Sequence, residues 1–79
     1  MVEIIDISRH PKVNLPQEVE LNEEMNAFRF IEELGSEYDV DTDILFKKMC
    51  LILDGERVTE NSIVKDGSRL YILAPAVGG

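Results

Sequence analysis

Between the turn dipeptide Asp66-Gly67 and Pro75 lies a run rich in branched and aromatic side chains, Arg69-Leu70-Tyr71-Ile72-Leu73. Residues of this kind fit a pleated, half-buried surface, and the glycine before them supplies the turn, so the run reads as a strand. Pro75 has no N–H to give to a ladder and biases Ala74 toward extended backbone. Pairing should therefore stop near Ala74 while the chain continues straight. A second Asp-Gly pair, Asp54-Gly55, sits between the apolar strand Met49–Leu53 and a short returning strand, Glu56–Val58. It is a strong two-residue hairpin signal. The segments Asp54-Gly55-Glu56-Arg57 and Asp66-Gly67-Ser68-Arg69 share turn chemistry, but no repeat period extends beyond them.

Earlier in the chain, Val2–Ile7 is dense in isoleucine and reads as a strand buried on both sides for part of its length. Arg9–Lys12 is a loop punctuated by Pro11, which leaves His10 exposed and structural. Glu18–Leu21 alternates as a half-solvated edge strand does, antiparallel to the first. Asn22 then reads as a helix N-cap, with Glu23 and Glu24 in the first turn where the helix dipole favours negative charge. The helix is expected to reach Leu34 and stop at Gly35. Ala27, Phe28, Ile31 and Leu34 form its apolar stripe, Glu32 and Glu33 fall outside it, and Phe30 covers the core edge or a partner surface. Residues 36–43 turn polar and acidic, as an exposed loop does. Ile44–Lys48 reads equally as a helical turn or an early strand. Cys50 reads as a small core hydrophobe, and Ile63-Val64 as a plug at the bottom of the core.

This element order gives an α+β chain in which a right-handed crossover lays one main helix over a mixed four- to five-stranded sheet. The first and last strands are its parallel central neighbours. At 79 residues there is room for one modest core and no second domain. No apolar run approaches the length of a membrane span, and the N-terminus lacks a basic region followed by an apolar one. A cytoplasmic protein without membrane association is the expectation. With Cys50 the only cysteine and His10 the only histidine, an intramolecular disulfide is excluded. A cysteine/histidine metal site or a conventional catalytic triad is poorly supplied.

Charge is divided between the halves. Residues 1–43 carry 12 acidic and 3 basic side chains, and residues 44–79 carry 4 and 5. A formal charge of −8 argues against nucleic acid as a direct partner, because phosphate binding needs clustered Lys and Arg. It keeps a small protein soluble and can steer it toward a basic partner surface.

The remaining residues, Ala74-Pro75-Ala76-Val77-Gly78-Gly79, form a thin tail reaching at most roughly 20 Å. Its two glycines lack Cβ and can pass a channel too narrow for other residues. A carboxylate carried free of bulky neighbours suits activation as an acyl-adenylate inside a partner's closed site. With its Asp-Gly turn, apolar strand, proline-containing link and terminal Gly78-Gly79, the segment from Lys65 onward resembles the ending of the MoaD/ThiS sulfur carriers. It resembles equally the archaeal ubiquitin-like small modifier proteins related to them. The fold implied is the β-grasp of ubiquitin-like proteins over residues 1–73, followed by a flexible Gly-Gly tail, 74–79.

The resemblance also implies that an E1-like enzyme uses ATP to adenylate Gly79, with Gly78 keeping the approach clear. The carboxyl then becomes a thiocarboxylate for sulfur transfer to molybdopterin, thiamine or a tRNA base. In that role the protein has no turnover, no catalytic residue, no metal and no stably bound cofactor of its own, and is a monomer when free. Tyr71, Leu73, Ala74, Pro75 and Val77 are the expected docking residues for the activating enzyme. Two alternatives stand beside the carrier: a covalent modifier joined through Gly79 to lysines of target proteins, and a non-covalent β-grasp interaction module.

Overall fold

The computed structural model describes residues 1–75. Seven strands, one α-helix and one π-helical turn follow in chain order: β1 (Val2–Asp6), β2 (Glu18–Val19), β3 (Met25–Asn26), α1 (Ala27–Tyr38), the turn Ile44–Lys48, β4 (Cys50–Leu53), β5 (Glu56–Arg57), β6 (Ile63–Val64) and β7 (Arg69–Leu73). Five of the strands form a mixed sheet in the order β2-β1-β7-β4-β5, and β3 pairs with β6 in a small second ladder. The last strand lies at the centre, parallel to β1 and antiparallel to β4.

The core lies between α1 and one face of the sheet. Val2 and Ile4 of β1, Leu51 and Leu53 of β4, and Leu70 and Ile72 of β7 are buried there beneath Phe30, Ile31 and Leu34 of the helix. Alternation along β1 and β7 follows the period of two that a one-sided sheet imposes. The expectation that Val2–Ile7 is buried on both sides for part of its length is corrected accordingly. Only one layer covers the sheet, so Ile5 stays half-buried on the open face and Ile7 is 53% exposed just past the strand.

The helix starts four residues later than the sequence pattern places it. Met25 and Asn26 pair with Val64 and Ile63, and Asn26 rather than Asn22 is the N-cap. Its Oδ1 accepts from the backbone N–H of Phe28 and Arg29, and its Nδ2 donates to the Glu60 carbonyl at 2.7 Å. One side chain thus caps the helix and ties it to the loop before β6.

Gly35 does not stop the helix. It lies inside the last turns, where a Cβ would come within 2.4 Å of Thr42 Cγ2 and 2.7 Å of the Val40 carbonyl oxygen. The missing side chain serves packing, and Asp39, in the left-handed conformation at φ 57°, ends the helix instead. Residues 36–43 are correspondingly not all an exposed loop: the helix takes up the first three, and Val40 is buried.

Phe30 and Phe28 exchange the places expected of them. Phe30 is 3% exposed in the core. Phe28 is half-buried and meets Phe46 of the π-helical turn edge to face, ring centroids 5.4 Å apart. That turn settles the reading of Ile44–Lys48, directing Ile44 and Leu45 inward. Val64 is buried as expected of a core plug, whereas Ile63 is 43% exposed. Glu18–Leu21 contributes only Glu18–Val19 as strand, antiparallel to β1 at the sheet edge.

Candidate functional site

Backbone pairing brings two of the expected docking residues, Tyr71 and Leu73, onto the face of the sheet that the helix leaves uncovered. Tyr71 lies opposite Ile5 on one side and Ile52 on the other. Leu73 lies opposite Cys50. Since residues two apart along a strand share a face, Tyr71 and Leu73 point away from Leu70 and Ile72, and both are half-buried. Ala74 and Pro75 follow as exposed residues beyond the last ladder pair. Val77, Gly78 and Gly79 lie outside the described residues.

The open face therefore carries an apolar band across its three central strands: Ile5, Tyr71 and Ile52, extended toward the end of β7 by Leu73 and Cys50. Ile5, Ile52 and Cys50 join Tyr71 and Leu73 there without being among the docking residues expected from sequence. Their signal was present. β1 and β4 have apolar residues at successive positions, more than a strand with one buried face requires, and the surplus lies on the open face. Cys50 is accordingly half-buried and not a core residue. With Phe28, Phe46, Met49 and Val58 it also lines a groove of about 430 Å³ whose charged lining residues are Glu32 and Arg57.

Cations flank the band. Arg57 lies directly opposite Ile52, and Arg69 Nε is 3.3 Å from Glu3 Oε1 where β7 runs beside β1. Glu32, Glu33 and Glu37 on α1 are exposed on the helix layer.

The position of β7 is held at its start. Ser68 is 3% exposed; its hydroxyl donates to Asp54 Oδ2 at 2.8 Å and accepts from the Lys65 N–H at 3.0 Å. Asp54 Oδ1 accepts from the Arg69 N–H at 2.9 Å. The two Asp-Gly turns are thus bonded to each other, and β7 enters the sheet in a fixed register. Asp54 at φ 51° and Gly55 at φ 86° give the β4–β5 hairpin the left-handed pair that a tight turn of this hand requires. The Met1 ammonium group bonds the Asp66 carboxylate, which holds that carboxyl below its usual range.

Among the described residues, no group of three or more His, Cys, Asp and Glu side chains is placed to hold a metal ion, and no helix is long and apolar enough to cross a membrane. No protein-family model and no curated protein matches the chain.

Proposed function

We propose that this protein is a β-grasp sulfur carrier. An E1-like enzyme adenylates the Gly79 carboxyl with ATP and it is then converted to a thiocarboxylate. The observation that carries the reading is the exit of the chain from the central strand: after Leu73 pairs with Cys50, Ala74 and Pro75 leave the ladder exposed. Residues that follow a central strand start from the most firmly held part of the sheet. The fold thereby directs the approach of the residues beyond Pro75 to a partner's site.

The apolar band of Ile5, Ile52, Tyr71 and Leu73 supports the same reading. Beside the exit it offers the activating enzyme an uncovered surface with Arg57 and Arg69 at its flanks, and such a surface, an apolar centre with a polar rim, is the anatomy of a docking interface. In this role the domain supplies recognition and position, and the transferred sulfur supplies the chemistry. The expected partners are an E1-like enzyme and a sulfur-accepting synthase, and the expected compartment is the cytoplasm.

Incubation of the full chain with E1-like enzymes of the same cell, ATP and a sulfur donor tests the proposal. Pyrophosphate release, followed by an intact-mass change of one oxygen replaced by sulfur, is the expected result. Conjugates to lysines of larger proteins with no such exchange would make the chain a covalent modifier. Absence of both adenylation and conjugation would leave a non-covalent interaction module and reject the carrier.

A further inference from the structure

On the helix layer, away from the apolar band, α1 and the segment from β2 to β3 enclose a groove of about 300 Å³. Its floor is apolar: Val19, Leu21 and Met25 are half-buried along one wall, and Phe30 and Leu34 of the helix close it below. Four carboxylates line it, Glu20 and Glu23 on the strand side and Glu33 and Glu37 on the helix, against one cation, Arg29. Among the described residues none of these five charged groups takes part in an ion pair. Unpaired carboxylates lining a groove with a low-dielectric floor focus a negative potential into it, which attracts cations more strongly than the same charges spread over a convex surface.

The geometry points to this groove as a docking site for a basic amphipathic helix of a partner protein. Charge complementarity sets the sign of the occupant, and the apolar floor requires hydrophobic side chains between its cations. Strand addition is disfavoured, because the neighbouring sheet edge is the two-residue β2, which carries the charge of Glu18 and is followed by that of Glu20. A helix fits better. Glu33 and Glu37 stand four residues apart on α1, about 6 Å along its axis, and two cationic residues one turn apart on a facing helix match that spacing. The groove is lined by none of the residues that the carrier reading uses.

The test uses the full chain, labelled with nitrogen-15, and a blocked 14-residue peptide of leucine and lysine with the lysines four residues apart. At low salt the amide shifts are expected to concentrate at Val19, Leu21, Met25, Glu33 and Glu37. The paired variant Glu33→Gln with Glu37→Gln is expected to weaken binding about fivefold, and Arg29→Gln to tighten it. Both replace exposed side chains, and retained amide dispersion confirms that they fold. A chain lacking Gly79 binds as the unaltered one does, which separates this site from the carrier reading. The proposal is overturned by no binding at low salt, or by shifts spread equally over Asp39, Asp41 and Asp43. It is also overturned by unchanged affinity in the paired variant, or by spermidine reproducing the pattern at equal affinity.

Discussion

The Ser68 hydroxyl donates to the Asp54 carboxylate across 14 residues of sequence, joining the turn that closes the β4–β5 hairpin to the turn that opens the central strand. The same hydroxyl accepts from the Lys65 N–H. Ser68→Ala leaves that N–H without its acceptor and removes one of the two bonds to Asp54. A loss of about 1–3 kcal/mol is expected, read as a lower urea midpoint at unchanged slope. An unchanged midpoint would mean that the two turns hold their places without it.

Gly35→Ala tests the packing role of a helical glycine. Helix propensity alone favours alanine by about 1 kcal/mol, but the new methyl meets Thr42 and the Val40 carbonyl oxygen at separations that real side chains do not tolerate. Net destabilisation of about 1–3 kcal/mol is expected. Adding Thr42→Ser relieves one contact and leaves the other, so it recovers part of the loss. Greater stability than the parent chain in thermal melts would refute the packing role.

Asp39 occupies a left-handed position at the end of α1, where no basic residue stands in the last turn. Its charge opposes the negative end of the helix dipole, and its Cβ strains the backbone. Asp39→Gly removes both and makes the unfolded chain freer. The balance favours the variant by about 0.5–1 kcal/mol, measurable by denaturant titration at neutral pH and low salt.

Acid should act through Asp66. The Met1 ammonium group lowers the carboxyl's pKa in the folded state. Its stabilising contribution is therefore complete above the unfolded carboxyl value of about 3.9, and is lost as pH falls from there through the depressed folded value. The stability difference between the parent chain and Asp66→Asn is expected to be constant near neutrality and to shrink toward zero in stronger acid. A difference that grows with acidification would reverse the assignment.

The docking face makes its own prediction. Leu73→Asp places a charge in the apolar band at the point where the chain leaves the sheet, and Tyr71→Ala removes the central ring. Each is expected to slow pyrophosphate release by the activating enzyme about tenfold or more, as loss of a central interface anchor does. The folded state is checked by circular dichroism. Unaltered activation kinetics in both variants would place docking elsewhere.

Much of the fold is written locally. The Asp-Gly turns and the strands at Val2–Asp6, Cys50–Leu53 and Arg69–Leu73 follow from turn chemistry and apolar runs, and the parallel pairing of the first and last of them from the right-handed crossover. The helix boundaries do not. Asn22 and Asn26 offer the same cap, and what selects Asn26 is its pairing with Ile63 and its bond to Glu60, which lie more than thirty residues away. Gly35 is equally opaque, because a stop signal and a close approach use the same residue. Of the candidate site, Tyr71 and Leu73 are legible from alternation alone. Ile5, Ile52 and Cys50 join them only through the register of three strands, and no local pattern states that register.

The central placement of β7 has a consequence for synthesis. Until Leu73 has emerged from the ribosome, β1–β2 and β4–β5 are two separate hairpins with nothing between them, and neither can bury its apolar face against a completed sheet. Closure of the sheet therefore waits for this strand. Truncated products that stop before this strand would be left for proteolysis rather than released as competent folded domains.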